Sequence, residues 1–168
     1  HTNQKWSFDR SFEAVKKSFE ASVEAGYDLI HVDPTIDITL PSEQFIDIET
    51  VASRTLDLIE HTENFRKSGG YPYIAYEVGT EEVHGGLADM VTFRKFLELL
   101  KMGLTERGLK EVWPCLVVGK VGTDLHTTTF DPEVARELTR VAREYGSVMK
   151  GYYSDGVSNP AAYPIAGL

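Results

Sequence analysis

Apolar residues recur at three- and four-residue steps from Phe8 to Ala25, at Phe12, Val15, Phe19 and Val23, with lysine and glutamate between them. That spacing draws one apolar stripe along a helix, and Gly26 closes it. The short β-rich run "YDLIHVD" follows. A second helical pattern, from about Asp47 to Arg66 through Ile48, Val51, Leu56 and Ile59, stops at Gly69-Gly70 and leads into "YPYIAYEVG". A third, from about Met90 to Leu104, carries Phe93, Phe96, Leu97 and Leu100, has Gly108 behind it and feeds "VWPCLVVGKVG". Asp131-Pro132-Glu133 supplies a capping acid, a first-turn proline and an acidic first turn for a fourth helix, which ends near Gly146 before "SVMKGYYSD". Asn159-Pro160 announces a fifth, with Asn159 read as its cap.

Four helix-then-strand units imply parallel strands joined by helical crossovers, and the fold class is α/β. Runs such as Cys115-Leu116-Val117-Val118, without alternating polarity, predict strands covered on both faces, and place Cys115 in the core. Two architectures fit: an open doubly wound sheet, and part of a (β/α)8 barrel, whose complete form takes about 250 residues. No GxGxxG or P-loop pattern opens any helix, which weighs against a nucleotide-binding sheet. Residues 1–168 read as a single domain; with His1 in place of a starting Met and an unfinished-looking end, the expectation is the central portion of a longer protein.

Charge narrows the partners. Asp and Glu total 26 against 17 Lys and Arg, a net charge of −9, and the basic residues are scattered, so nucleic acid is not expected. No apolar run approaches the roughly 18 residues of a membrane span, and nothing resembles a cleavable signal. A single cysteine allows neither an internal disulfide nor a thiolate metal cluster, and the expected location is the cytoplasm.

Polar chemistry gathers where the predicted strands end. His31 and Asp33 stand in "IHVDPT", Glu77, Glu81, Glu82 and His84 in "YEVGTEEVHGGL", Lys120, Asp124 and His126 in "GKVGTDLH", and Asp155 in "YYSDG". In a parallel α/β fold these ends share the side on which ligands bind. Each has a plainer reading: His31 as a hydrogen-bonded core histidine, Lys120 as a surface lysine, Glu82 as a solvated loop charge and Asp155 as part of a turn. Side chains alternate along a strand, so His31 and Asp33 face the same way. Histidine, glutamate and aspartate converging from separate strands suit a divalent cation such as Zn²⁺, Mn²⁺ or Mg²⁺, although no compact motif fixes the ligands. A serine or cysteine nucleophile has less support, since there is no G-x-S-x-G.

The stretches "AGYDLIHVDPT", "YEVGTEEVHGG", "VVGKVGTDLHTTTFDPEVARELT" and "GYYSDGVSNPAAY", in this order, resemble the GatZ/KbaZ-like family, described as the non-catalytic subunit of class II tagatose-bisphosphate aldolase and formerly labelled tagatose-6-phosphate kinase. The resemblance spans nearly the whole chain, and family members are more than twice as long. It implies a TIM barrel of which this chain holds about four consecutive helix–strand units. His31 and Asp33 match an I-H-x-D strand end, Glu81 the Glu of a G-T-E turn, His126 a histidine after the next strand and Asp155 the acid of an S/T-D turn; His1 with Trp6 is a looser match. "EEVHGG" departs from a proline-containing version, so Glu82 and His84 do not carry over.

Three functions follow from the resemblance. The first is an aldolase subunit that supports cleavage of tagatose 1,6-bisphosphate by a catalytic class II partner. The second is an enzyme in its own right, a metal-dependent ketose or ketose-phosphate 4-epimerase interconverting fructose and tagatose forms by retro-aldol and aldol steps. The third is a sugar-phosphate-binding barrel without turnover. An oligomer is expected in each case. The kinase label finds no ATP-phosphate loop. For an enzyme, the expected catalytic groups are Asp33, Glu81 and Asp155; His31, Lys120 and Glu77 would bind substrate, and His126, His84 and Glu81 would hold the metal.

Overall fold

A computed structural model of the chain describes residues 6–37, 40, 46–79, 89–123, 129–151, 154 and 156–168. Helix α1 (Phe8–Glu24) leads to strand β1 (Leu29–Val32), α2 (Ile48–Gly69) to β2 (Ala75–Gly79), α3 (Met90–Glu106) to β3 (Leu116–Gly119), and α4 (Pro132–Glu144) to β4 (Val148–Gly151); a short α5 (Ala162–Ala166) follows. Local chemistry fixes these boundaries. The carboxylates of Asp47, Asp89 and Asp131 accept the backbone N–H groups of Thr50, Thr92 and Val134, donors that the first turn of a helix leaves without an internal partner. Gly70, at φ 67°, stops α2 in the left-handed conformation that costs glycine little. Asn159 does not cap the fifth helix with its side chain. That helix begins after Ala161, and Asn159 only offers its backbone carbonyl to the Ala162 N–H.

The four strands are all parallel and lie in chain order, β1-β2-β3-β4. A doubly wound sheet reverses its order at a switch point, and no such reversal occurs among these strands. Crossovers between parallel strands are right-handed, so an unreversed order carries every connecting helix to one face. The packing agrees: α1 lies against α2, α2 against α3, α3 against α4 and α4 against α5. Where α2 and α3 meet, Gly103 leaves room for Leu56, against whose Cδ1 a Cβ would collide. Among the described residues no helix is long and apolar enough to cross a membrane.

On the helix-facing side Ile30, Val32, Tyr76, Val78, Val117 and Met149 are each at most 4% exposed. The opposite side is covered unevenly. The inner strands β2 and β3 are buried on both faces for most of their length, as the apolar runs predicted, but β1 and β4 expose alternate residues. Cys115 is exposed rather than core: it precedes β3 and its thiol points to the Tyr76 carbonyl oxygen at 3.4 Å.

A buried ionic knot ties the helix layer to the sheet. Glu63 on α2, 0% exposed, takes a forked pair of bonds from Arg66 at 2.9 and 2.8 Å and a third from the Tyr76 hydroxyl at 3.0 Å. Arg66 also donates to the Tyr71 carbonyl oxygen, which anchors the turn entering β2. Burial, followed by the Glu63 charge and hydrogen bond, pushes the Tyr76 hydroxyl far above the usual phenol range, so it keeps its proton for the bond to Glu63. Glu63→Ala would leave Arg66 and Tyr76 without their acceptor and is expected to cost about 3–5 kcal/mol, whereas Tyr76→Phe, which removes one donor, is expected to cost about 1 kcal/mol. Urea denaturation of both variants checks this ranking, and equal losses would refute the keystone role of Glu63.

Candidate functional site

The face of the sheet turned away from the helices carries a polar row. Strand register sets His31 opposite Glu77, Glu77 opposite Leu116 and Leu116 opposite Val148, all at one level. Tyr76 and Val78 face the helices, so Glu77 between them must face the other way, and the same alternation turns His31 and Lys150 to that side. His31 Nδ1 lies 2.7 Å from Glu77 Oε1, and Lys150 Nζ lies 2.8 Å from the same oxygen. Lys150 stands on β4 beside Val118 in register, so its side chain reaches over β3, across two interstrand spacings of about 5 Å each.

The three side chains differ sharply in exposure. Glu77 is 4% exposed, while His31 and Lys150 are 42% and 51% exposed. Burial by itself would raise the Glu77 carboxyl. The hydrogen bonds from His31 and Lys150, together with the Lys150 charge, outweigh it and hold that carboxyl below the usual carboxylate range. A charged carboxylate is thus kept in mid-sheet by a hydrogen bond from Lys150 and a close imidazole contact from His31, both on one oxygen.

Asp33 follows β1 on the same side. Its Oδ2 is 4.0 Å from His31 Nε2, while its Oδ1 accepts from the Thr35 backbone N–H at 3.0 Å and from the Thr35 hydroxyl at 2.5 Å. One oxygen of Asp33 is therefore spent on a local turn. His31 and Asp33 also border a cavity of about 240 Å³, walled by Phe8, Phe12, Val15 and Phe19 of α1. The Asp37–Arg54 ion pair, at 2.8 Å, lies on its rim.

The expected site residues divide accordingly. His31, Asp33 and Glu77 are brought together, though His31 and Glu77 sit inside their strands rather than beyond the ends. Lys120 comes directly after β3, half-buried. Glu81, His84, His126 and Asp155, like Glu82 and Asp124, lie outside the described residues. Lys150 was not anticipated. Its signal was present in "VMKG": once Met149 is assigned to the helix side, a lysine beside it must face the polar row. No group of three or more histidine, cysteine, aspartate or glutamate side chains able to hold a metal gathers among the described residues.

No family model matches the chain, and neither does any curated protein. The geometry of the site carries the functional reading.

Because the Glu77 carboxyl is held below its ordinary value of 4.5 in the folded chain, its bonds stabilise the fold above about that pH and lose their effect as pH falls through the lowered value. Glu77→Gln is expected to cost about 1–3 kcal/mol at neutral pH, and the gap from the parent chain should close on acidification as Glu77 itself becomes protonated. Denaturant melts at neutral and acid pH check this; a gap that does not change with pH would refute it.

Proposed function

We propose that this chain is part of a (β/α)8 barrel of the GatZ/KbaZ type and that its polar sheet face is a working site for ketose or ketose-phosphate chemistry. The barrel reading is supported by strands in unbroken chain order with all their helices on one side, which is how consecutive units of such a barrel are built. The face left free of helices then becomes the barrel interior, and the polar row becomes part of its lining.

The single observation that carries the reading is the pairing of His31 and Lys150 on the buried carboxylate of Glu77, with Asp33 alongside. Keeping a carboxylate ionised in mid-sheet costs desolvation, and groups so arranged are characteristic of sites that move protons. A subunit that only supports a catalytic partner has no need of them. Turnover by this chain as a 4-epimerase is therefore the favoured form of the proposal, ahead of the aldolase-subunit role and the binding barrel.

The chemistry is redox-neutral and needs no co-reactant. A base removes the proton of the C4 hydroxyl; the C3–C4 bond breaks and its electron pair passes to C3, giving an enediolate over C2 and C3, while C4 becomes an aldehyde. The aldehyde rotates, C3 attacks its other face, and the proton returns to the C4 oxygen. A divalent cation on Glu81, His84 and His126 belongs to the same proposal and would supply positive charge to the enediolate. Lys120 is a further candidate to meet a substrate phosphate or carbonyl oxygen.

The whole protein, purified without partners, should convert fructose 6-phosphate or fructose into the tagatose form with added Mn²⁺ or Zn²⁺ and stop when a chelator is present. Absence of product, with a rise in the activity or stability of a catalytic class II aldolase subunit mixed with it, would replace turnover by the helper role. Sugar-phosphate binding without either result would leave the binding barrel.

A further inference from the structure

We infer that the proton acceptor of this site is the Nε2 atom of His31, with Glu77 as the residue that presents it; this rests on the ketose reading for its substrate and on geometry for everything else. Sequence alone placed His31 among the substrate-binding residues and Asp33, Glu81 and Asp155 among the catalytic groups. The contacts point elsewhere.

The Glu77 carboxylate has no hydrogen to give, and a bare imidazole nitrogen 2.7 Å from it would set lone pair against lone pair, so the contact favours the proton on that nitrogen. That nitrogen is Nδ1. In the neutral ring Nε2 is then left with its lone pair, on a side chain exposed enough to be reached. Lys150 holds the same carboxylate oxygen from the far side at 2.8 Å, so Glu77 is fixed between two strands and cannot swing away from the ring. Of Asp33 only Oδ2 remains to accept, since Oδ1 is committed to the two Thr35 donors, and that oxygen lies beside the ring, 4.0 Å from His31 Nε2.

The charges around the ring suit the transfer. When Nε2 takes a hydroxyl proton from the substrate, the imidazolium has Glu77 against Nδ1 and the free Asp33 Oδ2 at 4.0 Å from Nε2. Lys150 opposes that positive charge, while Arg54 on the cavity rim is already paired with Asp37. The proton is held between carboxylates and goes back to the same class of oxygen when the carbon–carbon bond is remade. Glu77 and Lys150 are positioning residues in this scheme, and His31 is the group that meets the substrate.

The test uses nitrogen-15 NMR of the whole protein, at a pH high enough for free imidazole to be neutral, alongside kinetics. His31 is expected to carry its proton on Nδ1, and Glu77→Gln to admit the other tautomer. His31→Gln should lower kcat about 100-fold and Glu77→Gln about tenfold, with KM nearly unchanged in both. A wild-type His31 protonated on Nε2, or a His31→Gln variant that keeps its kcat within about twofold, would overturn the proposal. If the wild-type protein turns over no ketose, the ketose reading fails by itself. The acceptor assignment is then decided by the tautomer and by diethyl pyrocarbonate, which attacks an available unprotonated ring nitrogen: modification of His31 mapped by mass spectrometry supports it, and an inert His31 overturns it.

Discussion

A parallel sheet whose strands follow one another in chain order can be covered by its own crossovers on one face only, because each right-handed connection returns on the same side as the last. Everything else in this chain is arranged around that asymmetry. The helix side collects Ile30, Val32, Tyr76, Val78, Val117 and Met149 of the strands and the apolar stripes of the helices. The other side is free to hold a carboxylate, an imidazole and an ammonium group. A doubly wound sheet, covered by helices on both faces, would have had to bury them in a hydrocarbon layer.

Adjacent residues of β2 show how tightly the two sides are joined. Tyr76 sends its hydroxyl to Glu63 on α2, and Glu77 takes His31 and Lys150 on the opposite face. A displacement of β2 that weakened one set of bonds would weaken the other, since both belong to one stretch of backbone. Hydrogen bonds to charged groups are worth about 1.5–3 kcal/mol each, and a buried carboxylate stripped of its partners loses more than that. The register of the sheet is thereby specified by ionic contacts as well as by hydrophobic alternation. A one-residue slip of β2 would turn Glu77 toward the helices and take it away from both donors.

The elements were legible because their determinants are local. Asp131-Pro132-Glu133 and Gly69-Gly70 mark helix ends through bonds made within a few residues, and the apolar steps of α1 to α3 survive intact in the structure. The pairing of His31 with Asp33 on one side of β1 was equally legible from strand alternation. Lys150 was not, because its meaning depends on which residue of β2 lies two strands away, and register is a property of the assembled sheet. Cys115 and Asn159 misled for related reasons. An apolar neighbourhood in sequence did not tell where the strand begins, and a capping residue type did not ensure a capping position.

Glu77 itself shows how the same residue changes meaning between the two levels. In sequence it is one of several acids near a glycine pair, of a kind that an acidic protein carries in its loops. In the sheet it lies inside a strand, and only a specific arrangement of donors makes its charge tolerable there. Glu63 meets the same requirement on the other face chiefly with the forked guanidinium of Arg66, which is mostly buried, and the buried Tyr76 hydroxyl. Glu77 meets it with a histidine and a lysine that are both about half exposed, so each keeps hydrogen-bonding capacity turned outward. Two carboxylates solve one desolvation problem with different donors. One solution locks a helix to a strand, and the other leaves two partly exposed nitrogen groups on the side of the sheet away from the helices.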